Sequence, residues 1–182
     1  LLDTQMNDLS HMNEIHPYSI GRYLIIDHST YRNLELTETM REKEKRGSLF
    51  WVLDRTKTAM GQRKLKNLIE PPLLDPAEIN QRLDAIDELN SNMVDREEIR
   101  EYLSGVYDLL RLLMRFSYKS ANPRDLLAFR DSIKPLGPIK NILGGFNSSM
   151  LKSLGDQIDP MDDLRELLEA AIDEDAPASV HD

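Results

Sequence analysis

The sequence predicts a mainly α-helical fold: an irregular multi-helix domain with one short β-hairpin near the N-terminus. Apolar residues recur at helical spacing along most of the chain, as in Ile79, Leu83, Ile86, Leu89 and Met93. A helix-start signal occurs three times, in Asp75-Pro76-Ala77-Glu78, Asn122-Pro123-Arg124-Asp125 and Asp159-Pro160-Met161-Asp162. Each offers an oxygen-bearing cap, proline at the first helical position, and a carboxylate that complements the positive end of the helix dipole. Against these, only two short runs read as strands, Tyr23-Leu24-Ile25-Ile26-Asp27 and Tyr31-Arg32-Asn33-Leu34-Glu35-Leu36.

In chain order, Leu2, Met6, Leu9 and Met12 space out an opening helix. The two strands follow, with His28-Ser29-Thr30 as the hairpin turn. Residues 41–46 are all charged and read as a solvated connector ending at Gly47, with Ser48 as the next N-cap. Leu49-Phe50-Trp51-Val52-Leu53 is apolar on every side, which predicts a helix buried all round. A polar turn, residues 54–58, leads to a second helix with Leu65, Leu68 and Ile69 on one face, stopped by Pro71-Pro72. Later helices carry Leu126, Phe129 and Ile133, then Leu164, Leu167, Leu168 and Ala171. Asp95 starts another, and one more carries Val106, Leu109, Leu110, Leu113 and Phe116. Gly144-Gly145 and Gly155 read as helix ends. The expected organisation is a single domain over 1–182. Residues 1–46 form an N-terminal helix plus hairpin, 47–176 a helical body, and 177–182 a polar tail.

A chain of 182 residues with 40% hydrophobic content can build a real core, burying roughly 70% of its unfolded surface. It has no cysteine, so no disulfide framework and no thiolate zinc site. No stretch approaches the ~20 apolar residues of a membrane span. A soluble intracellular chain is the expectation. Leu1 stands in place of an initiator methionine and the last residues hold no terminating element, so the sequence reads as a piece of something longer. The net charge of −9 resides entirely in residues 156–182, while residues 1–155 are balanced. The overall acidity therefore argues only weakly against nucleic acid elsewhere.

Catalytic chemistry is scarce. Gly144-Gly145-Phe146 lacks the lysine and hydroxyl of a phosphate loop. His11, Glu14 and His16 lack the i, i+4 spacing of a helical metal site. The carboxylate pairs Asp162/Asp163 and Glu97/Glu98 fall at expected helix starts, where the dipole accounts for them. Two basic features remain. Arg55, Lys57, Arg63, Lys64 and Lys66 crowd residues 48–70, as a solvated face or a partner contact. Arg111 and Arg115, one turn apart and near Asp108, suit ion pairs within or between helices.

A family resemblance adds to this. The segment 23–27 with Thr30-Tyr31-Arg32-Asn33-Leu34-Glu35-Leu36 resembles the signature of the core domain of MutS DNA mismatch repair proteins. So does Gly47-Ser48-Leu49-Phe50-Trp51-Val52-Leu53-Asp54-Arg55-Thr56-Lys57-Thr58-Ala59-Met60-Gly61-Gln62-Arg63. Pro72-Leu73-Leu74, Val106-Tyr107-Asp108-Leu109, Asn122-Pro123-Arg124-Asp125-Leu126 and Ile172-Asp173-Glu174-Asp175-Ala176-Pro177 follow in family order. One departure is Ile69-Glu70, where the family often has tryptophan.

The resemblance implies the first part of a helical core, or lever, domain that links a mismatch-reading front to an ATPase domain, with the DNA clamp at its tip. It implies a full-length, homodimeric, cytoplasmic ATPase that uses ATP and magnesium and acts on double-stranded DNA. The expected partners of this chain are the ATPase, clamp and connector domains. No catalytic, cofactor or metal residue, and no membrane contact, is expected within it. The tail 177–182 would lead towards the clamp. The candidate interdomain contact is Asp54, Arg55, Thr56, Lys57 and Thr58 with Arg63, a polar turn stiffened by its flanking helices. Two alternatives stand beside this reading: a MutS paralogue with a non-repair role, and a free-standing helical nucleic-acid-binding module.

Overall fold

The computed structural model describes residues 20–176. The expected opening helix, the His11/Glu14/His16 group and the tail 177–182 lie outside the described residues. Ten α-helices follow a 3₁₀ turn at Ile20–Arg22 among them: α1 (His28–Asn33), α2 (Leu49–Leu53), α3 (Ala59–Ile69), α4 (Pro76–Ser91), α5 (Met93–Ser104), α6 (Leu109–Ser117), α7 (Pro123–Ile133), α8 (Leu136–Gly144), α9 (Ser149–Gln157) and α10 (Asp162–Ala171). The mainly helical expectation holds.

The hairpin does not. Asp27 caps α1, its carboxylate accepting from the Thr30 amide at 3.0 Å and the Thr30 hydroxyl at 2.5 Å. Asp27-His28-Ser29-Thr30 is therefore a helix start that the β-rich flanks disguise as a turn. The extended residues before it pair elsewhere. Tyr23 forms a lone antiparallel bridge with Leu73, and the Leu24 amide donates to the Pro72 carbonyl at 2.8 Å.

Cap chemistry explains most helix starts. Ser48, Thr58 and Asp75 each accept from an amide of the first turn. Asn122 and Asp125 form a reciprocal capping box. The third proline signal is displaced. Asp159 turns back onto the Met161 amide at 3.0 Å, Met161 takes the left-handed region at φ 52°, and α10 starts only at Asp162.

Two apolar clusters form the core. Ala85 of α4, Ile139 and Leu143 of α8, Phe146 of the α8–α9 connection and Leu151 of α9 make one, joined by Ile99, Tyr102 and Leu103 of α5. Leu112 of α6, Phe129 and Ile133 of α7 and Leu168 of α10 make the other, with Phe116 edge-on to Phe129 at 5.5 Å. Gly144-Gly145 does end α8. Gly155 instead sits buried inside α9, where a Cβ would lie 3.0 Å from Leu143 Cβ. It is the contact point that lets α9 lie close to α8.

Several stripes face the other way from expectation. In α2 only Phe50 is buried; Leu49, Trp51, Val52 and Leu53 are about half exposed. Five residues make less than two turns, too short to be wrapped by this chain alone. On α4, Ala85 and Leu89 point inward while Ile79, Leu83 and Ile86 face out, as does Met93 at the start of α5. On α6 the inner face is Leu109, Leu112 and Phe116; Leu110, Leu113 and Met114 are exposed, and Val106 precedes the helix. Leu167 and Ala171 of α10 also face outward.

Candidate interdomain contact

The turn at 54–58 is built around one carboxylate. Asp54 closes α2, and its oxygens accept from Thr56 Oγ1 at 2.7 Å, the Thr56 amide at 3.3 Å and Gln62 Nε2 at 2.5 Å. Lys45 Nζ adds an ion pair to the same carboxylate and lies over the Phe50 ring, 4.5 Å from its centroid. These donors, Lys45 foremost, hold the Asp54 carboxyl well below the usual carboxylate range. Thr58 caps α3 by accepting from the Gly61 amide at 2.9 Å. The turn is thus tied at both ends to helices and in its middle to Asp54.

Arg55 and Lys57 project from that stiffened backbone as exposed cations, with Thr56 between them. The Arg55 guanidinium folds back onto the Asp54 carbonyl at 3.0 Å, and the Arg55 carbonyl accepts from Arg100 of α5 at 3.3 Å. A shallow polar recess beside the turn is lined by Asp54, Thr56, Lys57, Thr58 and Gln62. Such a surface can receive a carboxylate or another acceptor from a neighbour; it holds no activated nucleophile.

Arg63 does not join this surface. It grips Asp108, just ahead of α6, through two parallel bonds of 2.7 and 2.8 Å, and that pairing lowers the Asp108 carboxyl to about 2. Asp108 therefore pairs across the fold rather than with Arg111, and Arg115 reaches Asp125 of α7 at 2.5 Å. Sequence reasoning missed Lys45, Gln62, Arg100 and Asp108 as supports. The Asp54-Arg55-Thr56 spacing signals a local turn bonded to its own carboxylate; the long-range partners leave no such mark.

No group of three or more acidic or histidine side chains among the described residues could hold a metal ion. Gly144-Gly145 lies at the carbonyl end of α8, where the helix dipole opposes phosphate.

A family model described as MutS domain III matches residues 29–182. The chain belongs to the MutS domain III family. It is 54% identical over 180 residues to the DNA mismatch repair protein MutS of Lachnoclostridium phytofermentans, covering 99% of this chain and 19% of that protein. The MutS proteins of Ruminiclostridium cellulolyticum and Alkaliphilus metalliredigens are 44% and 46% identical, over 99% and 100% of this chain and 21% of each relative. This MutS domain III chain thus spans about a fifth of the length of the curated relatives it matches. These relatives share the mismatch repair name, which favours neither the non-repair paralogue nor the free-standing module. No described helix is long and apolar enough to cross a membrane.

Proposed function

We propose that this chain is the structural, signal-transmitting core segment of a DNA mismatch repair ATPase, coupling the ATPase domain to the DNA clamp. The observation that carries the reading is the turn at 54–58: two exposed cations, Arg55 and Lys57, on a backbone fixed by Asp54. A rigid, charged projection on a helical scaffold suits the transmission of a neighbour's position better than chemistry. In this reading ATP and magnesium are bound elsewhere in a full-length, homodimeric, cytoplasmic protein that engages double-stranded DNA. The segment after residue 176 leads towards the clamp. Of the candidate residues, Asp54, Thr56 and Thr58 build the turn and Arg55 and Lys57 make the contact. Arg63 anchors the turn's unit to the rest of the fold.

Alanine at both Arg55 and Lys57 tests this in the full-length protein. Neither cation supports the fold beyond its exposed contacts, so stability should change by less than about 0.5 kcal/mol. ATP-induced release from mismatched DNA should slow severalfold while mismatch affinity stays nearly constant. Unchanged release kinetics would remove the turn from the coupling route.

A further inference from the structure

Both apolar clusters are built from residues 85 onward, and no residue of 20–74 belongs to either. The N-terminal unit closes on itself instead. The Phe50 amide donates to Leu36 and the Leu49 amide to Glu35, at 2.9 and 3.0 Å, and both Leu36 and Phe50 are buried. The Tyr31 hydroxyl bridges Thr37 and Glu70 at 2.7 and 3.2 Å, tying α1 to the end of α3. Among the described residues, three polar contacts cross from this unit to the body: Arg22 with Glu78, Arg63 with Asp108, and Arg100 with the Arg55 carbonyl. All involve at least one solvent-exposed partner, the condition under which ion pairs are weak and salt-sensitive.

These contacts are not equivalent. The Leu74 amide donates to the Arg22 carbonyl at 3.2 Å, so Arg22–Glu78 sits beside the covalent connection at Leu74-Asp75, where a rotation moves atoms least. Arg63 lies eight residues before Pro71, about 12 Å along a helix at 1.5 Å per residue, and Arg55 lies beyond it. On the body side Asp108 is firmly presented. The fully buried Ser132 of α7 accepts from the Tyr107 amide at 2.9 Å and donates to the Ala128 carbonyl at 2.7 Å. Asp108 also has a second cation within its field, Arg111, so losing Arg63 does not strand its charge.

From this arrangement we propose that the Leu74–Asp75 link is a hinge between the 20–74 unit and the 75–176 body, and that Arg63–Asp108 and Arg100–Arg55 form its releasable lock. The proposal deepens the coupling function above and rests on it for its purpose: opening the lock swings the 54–58 turn as one piece. Closed, the turn is in register with α5 and α6; open, it is not.

The sequence lacks cysteine, so two introduced ones report without interference. Spin labels at Lys64→Cys on α3 and Lys152→Cys on α9, both exposed positions, measure the distance between the units by dipolar EPR. At low salt the otherwise unmutated chain should give one narrow distribution. D108N with R100Q should broaden it, and reversing the pair with R63D and D108R should narrow it again. Salt near 1 M, where screening reaches about 3 Å, should broaden the otherwise unmutated chain as well. The salt series needs no lock substitution, so it decides the matter even if D108N with R100Q loses helical content. A distribution that stays narrow in D108N/R100Q and at high salt overturns the hinge, as does a broad one at low salt. The release assay on Arg55 and Lys57 is separate: it can succeed with a rigid hinge, or fail with a mobile one.

Discussion

Asp54 shows how one side chain can organise a surface it does not itself present. Its carboxylate gathers Lys45, Gln62 and Thr56, so Asp54→Asn keeps the shape but loses the charge that orders them. Hydrogen bonds to charged groups contribute about 1.5–3 kcal/mol, and the amide retains some of them; a loss of about 1–2 kcal/mol is expected in urea unfolding. The pH dependence follows in sign. A carboxyl whose folded pKa lies below its unfolded value near 3.9 stabilises fully above that value and progressively less as pH falls through the folded one. The parent should therefore lose stability below about pH 4 more steeply than the asparagine variant. Equal acid limbs would show that the Asp54 contacts are not formed in solution. Arg130 is organised in a related way: its guanidinium, 4% exposed, pairs with Asp131 and with Glu174 of the last described segment.

Among the elements, α9 carries the sharpest test. An exposed helical glycine gains roughly 1 kcal/mol on change to alanine. Gly155 should do the reverse, because its new methyl would meet Leu143 Cβ at 3.0 Å, with the Lys140 carbonyl and Gly144 amide behind it. Overpacking of this kind costs about 1–3 kcal/mol, so Gly155→Ala should lower the melting temperature. A rise would mean that α8 and α9 are less closely packed than described. The same residue marks the limit of what the sequence disclosed. Local rules found the caps at Ser48, Asp75 and Asn122 because cap and amide are three residues apart or fewer. Gly155 as a helix end, and the hairpin turn at His28-Ser29-Thr30, were local readings of residues whose roles depend on a partner elsewhere or on a cap one residue earlier. The stripes on α4 and α6 were misphased because both helices are apolar on more than one face. Periodicity then marks apolar faces without saying which one this chain covers. The Asp54–Thr58 turn was legible as a turn; its attachment to Lys45 and Arg100 was not.

Taken as a whole, the molecule leaves much apolar surface in water. Leu49, Trp51, Val52 and Leu53 on α2, Ile79, Leu83 and Ile86 on α4, and Leu110, Leu113 and Met114 on α6 are all exposed. Patches of this sort mark contact surfaces or promote association. The 182-residue chain should self-associate with rising concentration in sedimentation experiments. L110K combined with L113E should reduce that association while leaving stability within about 0.5 kcal/mol, since neither side chain supports a cluster. A strict monomer at high concentration would sink the expectation.

The two apolar clusters meet at a seam. Ile133 ends α7 in the second, Leu136 opens α8 against the same cluster, and Ile139, one turn on, belongs to the first. Unfolding is therefore expected to be graded rather than all-or-none. Amides of the 20–74 unit should exchange with solvent through the cheapest opening, because no shared core must come apart. Amides across the α7–α8 seam should be the last to exchange, since exposing them dissolves both clusters together. A single protection value throughout would mean that the polar contacts alone fuse the chain into one cooperative body.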